Sequence, residues 1–428
     1  MIEKAKKLLE YKILCDECLG RFFALKGTGL TNKERGYALK TIILMEHQDD
    51  DEIIRKLAET GFPPAIKAAQ RKKISFEHKK CELCHGLFDR LDEIVEKIAA
   101  IVNSRDVEFA TFLVGATGDT EINEIQENLA SMLEIPTLES FRNNLSRELG
   151  KRLTEKLGKK VAPVPDIVII FNIKTEEVKI SINPVFFEGR YLKYVRDLPQ
   201  TTKCKKCHGK GCEYCEWTGL GPCVEREIVA PLYKLTGGSK IILHAAGRED
   251  KDVRMLGTGR PFVVEVKNPR VRSINLNVWA EEVKKGGKVE IKELKRSTRY
   301  RLVELKRTAD KAQKEYVGIA LISREIDESD LRELENALNN AIISQYTPLR
   351  ALKERANLLR KKKLYWIKTE LVDKNKIRFR VRTQGGLYIK ELVSGDNGRT
   401  SPSFAEILGA EAKCIELDVV AVLEKDES

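Results

Sequence analysis

Eight of the ten cysteines fall in four Cys-x-x-Cys pairs: Cys15/Cys18, Cys81/Cys84, Cys204/Cys207 and Cys212/Cys215. A turn of this kind aims two thiolates at one tetrahedral ion, and two such turns complete a closed structural zinc site. Only four residues (208–211) separate the last two pairs. The glycines in Cys204-Lys-Lys-Cys207-His-Gly-Lys-Gly-Cys212-Glu-Tyr-Cys215 permit the φ > 0 turns of a tight knuckle, so this run is expected to hold zinc. The first two pairs are separated by 62 residues (19–80). If they share one ion, it ties the start of the chain to the foot of a helix expected over 87–102. One or two structural zinc ions per chain follow.

Other cysteine chemistries fit less well. Disulfides are disfavoured in a reducing compartment. A thioredoxin-like redox pair needs one Cys-x-x-Cys on a βαβ unit, not four. Cys81-Glu-Leu-Cys84-His85 and Cys204-Lys-Lys-Cys207-His208 also match the haem-attachment pattern. That reading needs export and would orphan the partner pairs. The start, Met-Ile-Glu-Lys-Ala-Lys-Lys, runs into a charged amphipathic segment without a secretory h-region, and a cytoplasmic location is expected. Cys223 and Cys414 are single and are expected to be structural.

A second kind of chemistry needs carboxylates. Gly247-Arg248-Glu249-Asp250-Lys251-Asp252-Val253-Arg254 sets three acids among three bases after a strand-like run, and Gly257-Thr258-Gly259-Arg260-Pro261-Phe262 follows. Two further polar segments are Gly385-Gly386-Leu387-Tyr388-Ile389-Lys390-Glu391 and Gly395-Asp396-Asn397-Gly398-Arg399-Thr400. Taken singly, each is also compatible with a solvated loop. The glycines around Thr258 make no dinucleotide fingerprint, and no Gly-x-x-x-x-Gly-Lys-Ser/Thr loop is present.

The elements that must position these residues can be read from periodicity. Residues 1 to about 105 read mainly as helix, with Leu87, Leu91, Ile94, Val95, Ile98, Ile101 and Val102 at helical spacing. Near residue 161 the period shortens. Ile167 to Ile170 reads as a buried strand, and Val178, Ile180 and Ile182 alternate as a half-exposed one. Ile241 to Leu243 and Phe262 to Val266 are strand-like; Asp330 to Ile343 is helix-like with Ser329 as its cap. Ile377, Phe379 and Val381 alternate with Arg378, Arg380 and Arg382, a strand offering three arginines on one face, suited to an RNA backbone or to plain solvent. The 428 residues, 42% hydrophobic and 33% charged, allow two or three globular domains. No apolar run suggests a membrane span. The net charge of +12 favours a polyanionic partner.

Gly247-Arg248-Glu249-Asp250 resembles the Gly-Arg-Thr-Asp motif that carries the catalytic aspartate of pseudouridine synthases, and the stretch Gly247 to Phe262 more closely resembles the archaeal tRNA pseudouridine synthases that act at positions 54 and 55. The resemblance runs along nearly the whole chain. It takes in Cys15-Asp-Glu-Cys18-Leu-Gly-Arg21, Gly189-Arg190-Tyr191, Leu198-Pro199-Gln200-Thr201, Lys314-Glu315-Tyr316 and Gln345-Tyr346-Thr347-Pro348-Leu349-Arg350. Tyr388-Ile389-Lys390-Glu391 and Gly395-Asp396-x-Gly398-Arg399-Thr400 complete it. It implies a mixed α/β (α+β) protein in three parts. A zinc-stapled, THUMP-type tRNA-binding domain would occupy 1–200 and a four-cysteine zinc knuckle or linker 201–222. A pseudouridine synthase domain with a central antiparallel sheet would occupy 223–428. It implies Asp250 as nucleophile and Lys390, or alternatively Arg248, as the cation that keeps it ionised. Tyr316 would stack on the uracil and act as base at C5, while Tyr388 and Ile389 line the base pocket and Arg248 and Arg350 bind substrate. The implied partner is the T-arm of tRNA, with no obligate protein partner and no cofactor for catalysis. Two departures stand out: Leu387 where the family usually has Thr, and Lys353-Glu354-Arg355 where it has a more basic pair.

Two other functions share these features. Another THUMP-bearing tRNA-modifying enzyme would need an S-adenosylmethionine or pyrophosphatase loop, and neither is found. A zinc-stapled tRNA-binding protein without catalysis would be indifferent to the loss of Asp250.

Overall fold

The computed structural model describes residues 1–309, 311–353 and 355–423, so Glu354 of the second departure lies outside the described residues. The chain divides between Asn183 and Pro184 into two compact units.

The first unit opens with the helices Ile2–Tyr11, Asp16–Phe22, Asn32–Glu46, Asp51–Glu59 and Pro63–Lys72. Helices Asp16–Phe22 and Asn32–Glu46 meet backbone to backbone at Gly20 and Gly36. A Cβ at Gly20 would lie 1.8 Å from Asn32 O, and one at Gly36 1.9 Å from Asp16 O. Only glycine fits such an approach, which accounts for Gly20 in the Cys18-Leu-Gly-Arg21 segment. The expected amphipathic helix forms over Leu91–Asn103 and buries Leu91, Ile94, Val95, Ile98 and Val102. Strands β1 (Thr111–Thr117), β2 (Lys160–Val161), β3 (Ile167–Asn172) and β4 (Val178–Ile182) follow, in spatial order β2-β1-β3-β4. Phe112, Val114, Ile167, Ile169 and Phe171 share one core with Leu145, Leu149 and Leu153 of helix Phe141–Leu157.

The second unit is built on a ten-stranded sheet. Its strands are β5 (Val185–Lys193), β6 (Lys240–Ala245), β7 (Arg254–Lys267), β8 (Val289–Ser297), β9 (Gln313–Ile322), β10 (Ile342–Tyr346), β11 (Leu359–Asp373), β12 (Lys376–Gln384), β13 (Thr400–Ser401) and β14 (Ala412–Leu423). The order is β13-β10-β11-β12-β9-β14-β7-β5-β8, with β6 paired to β7. Among the described residues all of these pairs are antiparallel except β14 with β7. Because β5 is hydrogen-bonded between β7 and β8, the division falls at 183/184 and not at residue 200. The cysteine-rich segment 201–222 therefore lies within the second unit, between β5 and helix Val224–Thr236. Among the described residues no helix is long and apolar enough to cross a membrane.

Two local expectations are corrected. The helix placed at 330–343 runs over Glu328–Leu338 and is capped by Asp327, whose Oδ1 accepts from Ser329 N at 2.7 Å and Asp330 N at 3.1 Å. Ile342 and Ile343 belong to β10, paired with Lys363 and Lys362 of β11. An aspartate two residues before Ser329 is an equally good cap, and the apolar pair is too short to declare its period. Likewise β7 begins at Arg254, eight residues before the strand-like run starting at Phe262. Its early part is disguised by Gly257 and Gly259, both at φ > 0. Val420 O of β14 would lie 1.9 Å from a Cβ at Gly257, so the strands touch there.

The three arginines of β12 do alternate with a buried face, but they do not stand free. Arg380 and Arg382 converge on the buried Glu315 of β9, Arg380 at 2.7 Å and Arg382 Nε at 2.8 Å, and Arg378 pairs with Glu370 at 3.2 Å. Burial alone would raise the Glu315 pKa; the two guanidiniums outweigh it and hold the carboxyl below its ordinary range. With the folded pKa below the unfolded one, the contribution to stability is complete above about pH 4.3. It is lost as pH falls through the lower folded value. Thermal melts between pH 6 and 3 should therefore show a shallower acid-side decline for Glu315→Gln than for wild type; equal slopes would remove this assignment.

Candidate active site

Asp250 sits in the loop between the paired strands β6 and β7. Its neighbour Glu249 anchors that loop. The Glu249 side chain, 1% exposed, accepts from Arg260 Nε of β7 at 2.8 Å and from the Tyr191 hydroxyl of β5 at 2.9 Å. Arg260 also donates to Ala246 O at 2.8 Å, and Gln200 Nε2 donates to both Tyr191 Oη and Gly247 O. Under the loop, the buried Lys193 ammonium donates to the carbonyls of Leu198, Asp250 and Lys251 at 2.9–3.2 Å. Burial lowers the Lys193 pKa, while the Glu249 carboxylate works against that shift. The loop is thus set by charges beneath it, and the Asp250 side chain is turned outward, 37% exposed. Glu249→Gln would leave the fully buried Arg260 charge without its partner, at a cost of about 3–5 kcal/mol. Chemical denaturation measures it, and an unchanged midpoint would refute the brace.

The Asp250 carboxylate meets two cations, Arg350 Nη1 at 3.0 Å and Lys390 Nζ at 3.2 Å. Each cation is held from behind by a second carboxylate. Glu391 grips Arg350 with Nε–Oε1 at 2.7 Å and Nη2–Oε2 at 3.4 Å, and both Asp252 oxygens lie 2.8 Å from Lys390 Nζ. The result is an alternating chain, Glu391–Arg350–Asp250–Lys390–Asp252. Burial by itself would lower the Lys390 pKa, but contacts with Asp252 and Asp250 raise it. Burial likewise opposes Arg350, and Glu391 and Asp250 reverse the effect. Both groups stay cationic beside Asp250.

Asp250, Arg248, Tyr316, Arg350, Tyr388, Ile389 and Lys390 all line one cavity of about 570 Å³. The structure therefore brings together every residue expected at the active site. Tyr316 projects from β9, between Val381 of β12 and Val419 of β14. Burial, with Arg260 opposing it, pushes its phenol up to about 12, so at neutral pH the ring is uncharged and its oxygen is a poor base. Tyr388 caps helix Ile389–Ser394. Its backbone is clamped by Gln345, which accepts from Tyr388 N at 2.9 Å and donates to Tyr388 O at 3.0 Å, and its hydroxyl accepts from Arg355 at 2.7 Å. Leu387 and Ile389, 5% and 3% exposed, supply an apolar wall. Leu387, where the resemblance implied Thr, contributes hydrocarbon to that wall. Glu249, Arg260, Lys193 and Glu391 were given no role by the sequence, and Asp252 stood only as the competing carboxylate outside the Gly-Arg-x-Asp frame. Tyr191 and Gln200 stood in noted segments, but nothing in their spacing linked them to the loop.

The two cysteine groups also assemble. The sulfurs of Cys15, Cys18, Cys81 and Cys84 lie within 4.8 Å of one another, as do those of Cys204, Cys207, Cys212 and Cys215. Four sulfurs about 2.3 Å from a tetrahedral zinc stand about 3.8 Å apart. Cys15–Cys84 is 3.7 Å, Cys207–Cys215 3.8 Å and Cys212–Cys215 3.7 Å. N–H groups of Gly211, Cys212 and Gly219 point at the Cys207 and Cys215 sulfurs at 3.2–3.3 Å, as thiolates would require. In the first group the buried Arg21 lies 3.6 Å from Cys18 Sγ and stacks on Phe141. Both clusters could hold structural metal ions. With all eight thiols directed inward in fours, the haem reading has no cysteine pair left to use.

Two family models match the chain: "Pus10, C-terminal" over residues 186–423 and "Pus10 THUMP domain, archaeal" over residues 94–172. The chain is also 40% identical to "tRNA pseudouridine synthase Pus10" of Thermofilum pendens, over 97% of this chain and 94% of that one. The protein of the same name from Pyrococcus furiosus is 38% identical over 100% and 99%. The chain belongs to the archaeal Pus10 family of tRNA pseudouridine synthases. It is therefore an isomerase, with a THUMP domain preceding a synthase domain of mostly antiparallel sheet. A solved Cbf5-Nop10-Gar1 complex aligns with a TM-score of 0.28 and 18% identity over 47% of this chain and 46% of that one, too little to argue from. Asp250 and the second cysteine cluster fall within the Pus10 C-terminal match. The first cluster precedes the THUMP match and staples the helices before it.

Proposed function

We propose that this Pus10 member isomerises uridine 54, and also uridine 55, in the T-arm of tRNA, with Asp250 as the nucleophile. The observation that carries the reading is the Asp250 carboxylate, outward-facing and bracketed by Arg350 and Lys390 in a cavity walled by Tyr316, Tyr388, Leu387 and Ile389. The reaction breaks the C1′–N1 bond, turns the uracil over and joins C1′ to C5; the C5 hydrogen leaves to solvent as a proton and N1 takes one up, so no oxidant or reductant is needed. Asp250 acts on the ribose, either by attack on the sugar or by initiating loss of the C2′ proton. Arg350 and Lys390 hold the Asp250 carboxylate in position until the sugar arrives, and Glu391 and Asp252 keep those two cations aimed. The target base must leave its stack, at a cost of a few kcal/mol. Its face is received by the uncharged Tyr316 ring and the Leu387–Ile389 wall. Arg248 and Arg355, at the same cavity, meet the phosphates that follow it in.

No organic cofactor enters this scheme. The two four-cysteine groups each bind one zinc ion, which supplies a structural crosslink and no reaction step. Tritium release from tRNA transcripts labelled at uridine C5 tests the assignment of position. Transcripts carrying cytidine at 54 or at 55 should each release only the label of the remaining uridine. No release from either, with the unaltered transcript also silent, would overturn the reading.

A further inference from the structure

We infer that the cysteine knuckle at 204–215 is an RNA-contact surface, taking unpaired bases of the tRNA substrate on Tyr214 and Trp217. The chain has three tryptophans. Trp279 is fully buried in the core, whereas Trp217 is 70% exposed and Tyr214, three residues away, 57% exposed. Nothing in the knuckle's own folding needs either ring outside, since the cysteines and turns close it. Moreover, Glu216 and Trp217 occupy consecutive left-handed positions at φ 52° and 63°. For a bulky aromatic residue that is a strained conformation. Strain held next to an exposed ring is the pattern of a residue kept for contact and not for packing.

The charges around the rings suit a nucleic acid. From Thr201 to Cys212 there is no acidic residue, and Lys203, Lys205, Lys206 and Lys210 line that stretch. Lys206 Nζ sits 4.1 Å from the centre of the Tyr214 ring. Of the nearby acids, Glu216 is already paired with Arg226 at 3.1 Å and Lys234 at 4.0 Å, leaving Glu213 as the opposing charge on the knuckle. A zinc centre loaded on four thiolates carries two negative charges, which offsets part of the lysine excess. The lysines then set a modest salt dependence, and stacking on the two rings supplies the larger share of affinity. A rigid platform of aromatics among lysines takes unpaired bases without reading their sequence.

The inference rests on tRNA being the substrate, and the test keeps the two apart. Full-length, zinc-loaded protein is compared with Tyr214→Ala/Trp217→Ala, metal content being measured to confirm that the knuckle is intact. The double variant should bind tRNA about tenfold or more weaker, with the single-turnover isomerisation rate at saturating enzyme unchanged. Wild-type tryptophan emission should be quenched by tRNA, and Trp217→Phe should lose most of that quenching. Lys205→Gln/Lys210→Gln should reduce the slope of log affinity against log salt by about 1–2. Unaltered tRNA affinity in the double variant, with its zinc retained, would overturn the inference while leaving the catalytic reading intact. Conversely, a wild-type protein that releases no tritium yet shows the Trp217-dependent quenching would sustain the RNA surface and sink the proposed reaction.

Discussion

Asp250→Asn is expected to lower the single-turnover rate of pseudouridine formation by about 10⁴-fold or more, because on the proposed reading it removes the group that acts on the sugar. The tRNA affinity and the thermal midpoint should stay close to wild type, and the geometry explains why. The Asp250 side chain is 37% exposed, so its loss opens no cavity. Its two cations also keep their other carboxylates, Arg350 that of Glu391 and Lys390 that of Asp252. The stability change should remain within about 1 kcal/mol, as for a partly exposed ion pair. The same substitution at Asp252 should behave differently: it frees Lys390 to move and lowers the rate partially, because on the proposed reading Asp252 aims a cation and does not react. Quench-flow measurement with labelled tRNA and equal loading of both proteins distinguishes them. Full activity in Asp250→Asn, or equal losses at both positions, would dismiss Asp250 as nucleophile.

Loss of metal from the two cysteine groups should have unequal consequences. A structural zinc contributes on the order of 10 kcal/mol where folding depends on it. Cys18, Cys81 and Cys84 are buried in a core with Leu19, Leu83 and Leu87, and they join segments 62 residues (19–80) apart. Cys84→Ser should therefore release one zinc per chain and lower the melting temperature of the first unit by at least about 10 °C. The knuckle at 204–215 has hardly any apolar core; its shape comes from sulfurs, glycines and the bridge Lys203–Leu220. Cys215→Ser should release the other zinc and open the knuckle to protease, with the main melting transition nearly unmoved. Elemental analysis, calorimetry and limited proteolysis read these outcomes. Protein with less than one zinc per chain and unchanged melting would refute metal at both groups.

Elements with a strong repeating pattern were legible, and those decided by neighbours were not. The helix Leu91–Asn103 and strand β12 could be read because their apolar residues recur at 3.6 and at 2. The start of β7 was hidden because its glycines answer to the carbonyls of β5 and β14, which the local sequence does not contain. The helix–strand break near Asn339 was hidden for the same reason: Ile342 and Ile343 become strand only because β11 lies beside them. The three arginines of β12 were seen, but the Glu315 that neutralises two of them comes from a different strand.

For the catalytic loop, sequence alone determined which residue types were present and, through their resemblance to a family, which carboxylate to single out. It also determined the Cys-x-x-Cys spacing, a local property of a four-residue turn. The pairing of Cys15/Cys18 with Cys81/Cys84 was decided only when packing brought two distant segments of the chain into one cluster. The brace under Asp250 was decided by tertiary structure alone. Glu249, Arg260, Tyr191 and Lys193 come from three places in the chain, and burial makes their charges act on one another strongly enough to set a loop. The strength of an ion pair depends on distance and on the exclusion of water, and neither is written in the order of residues.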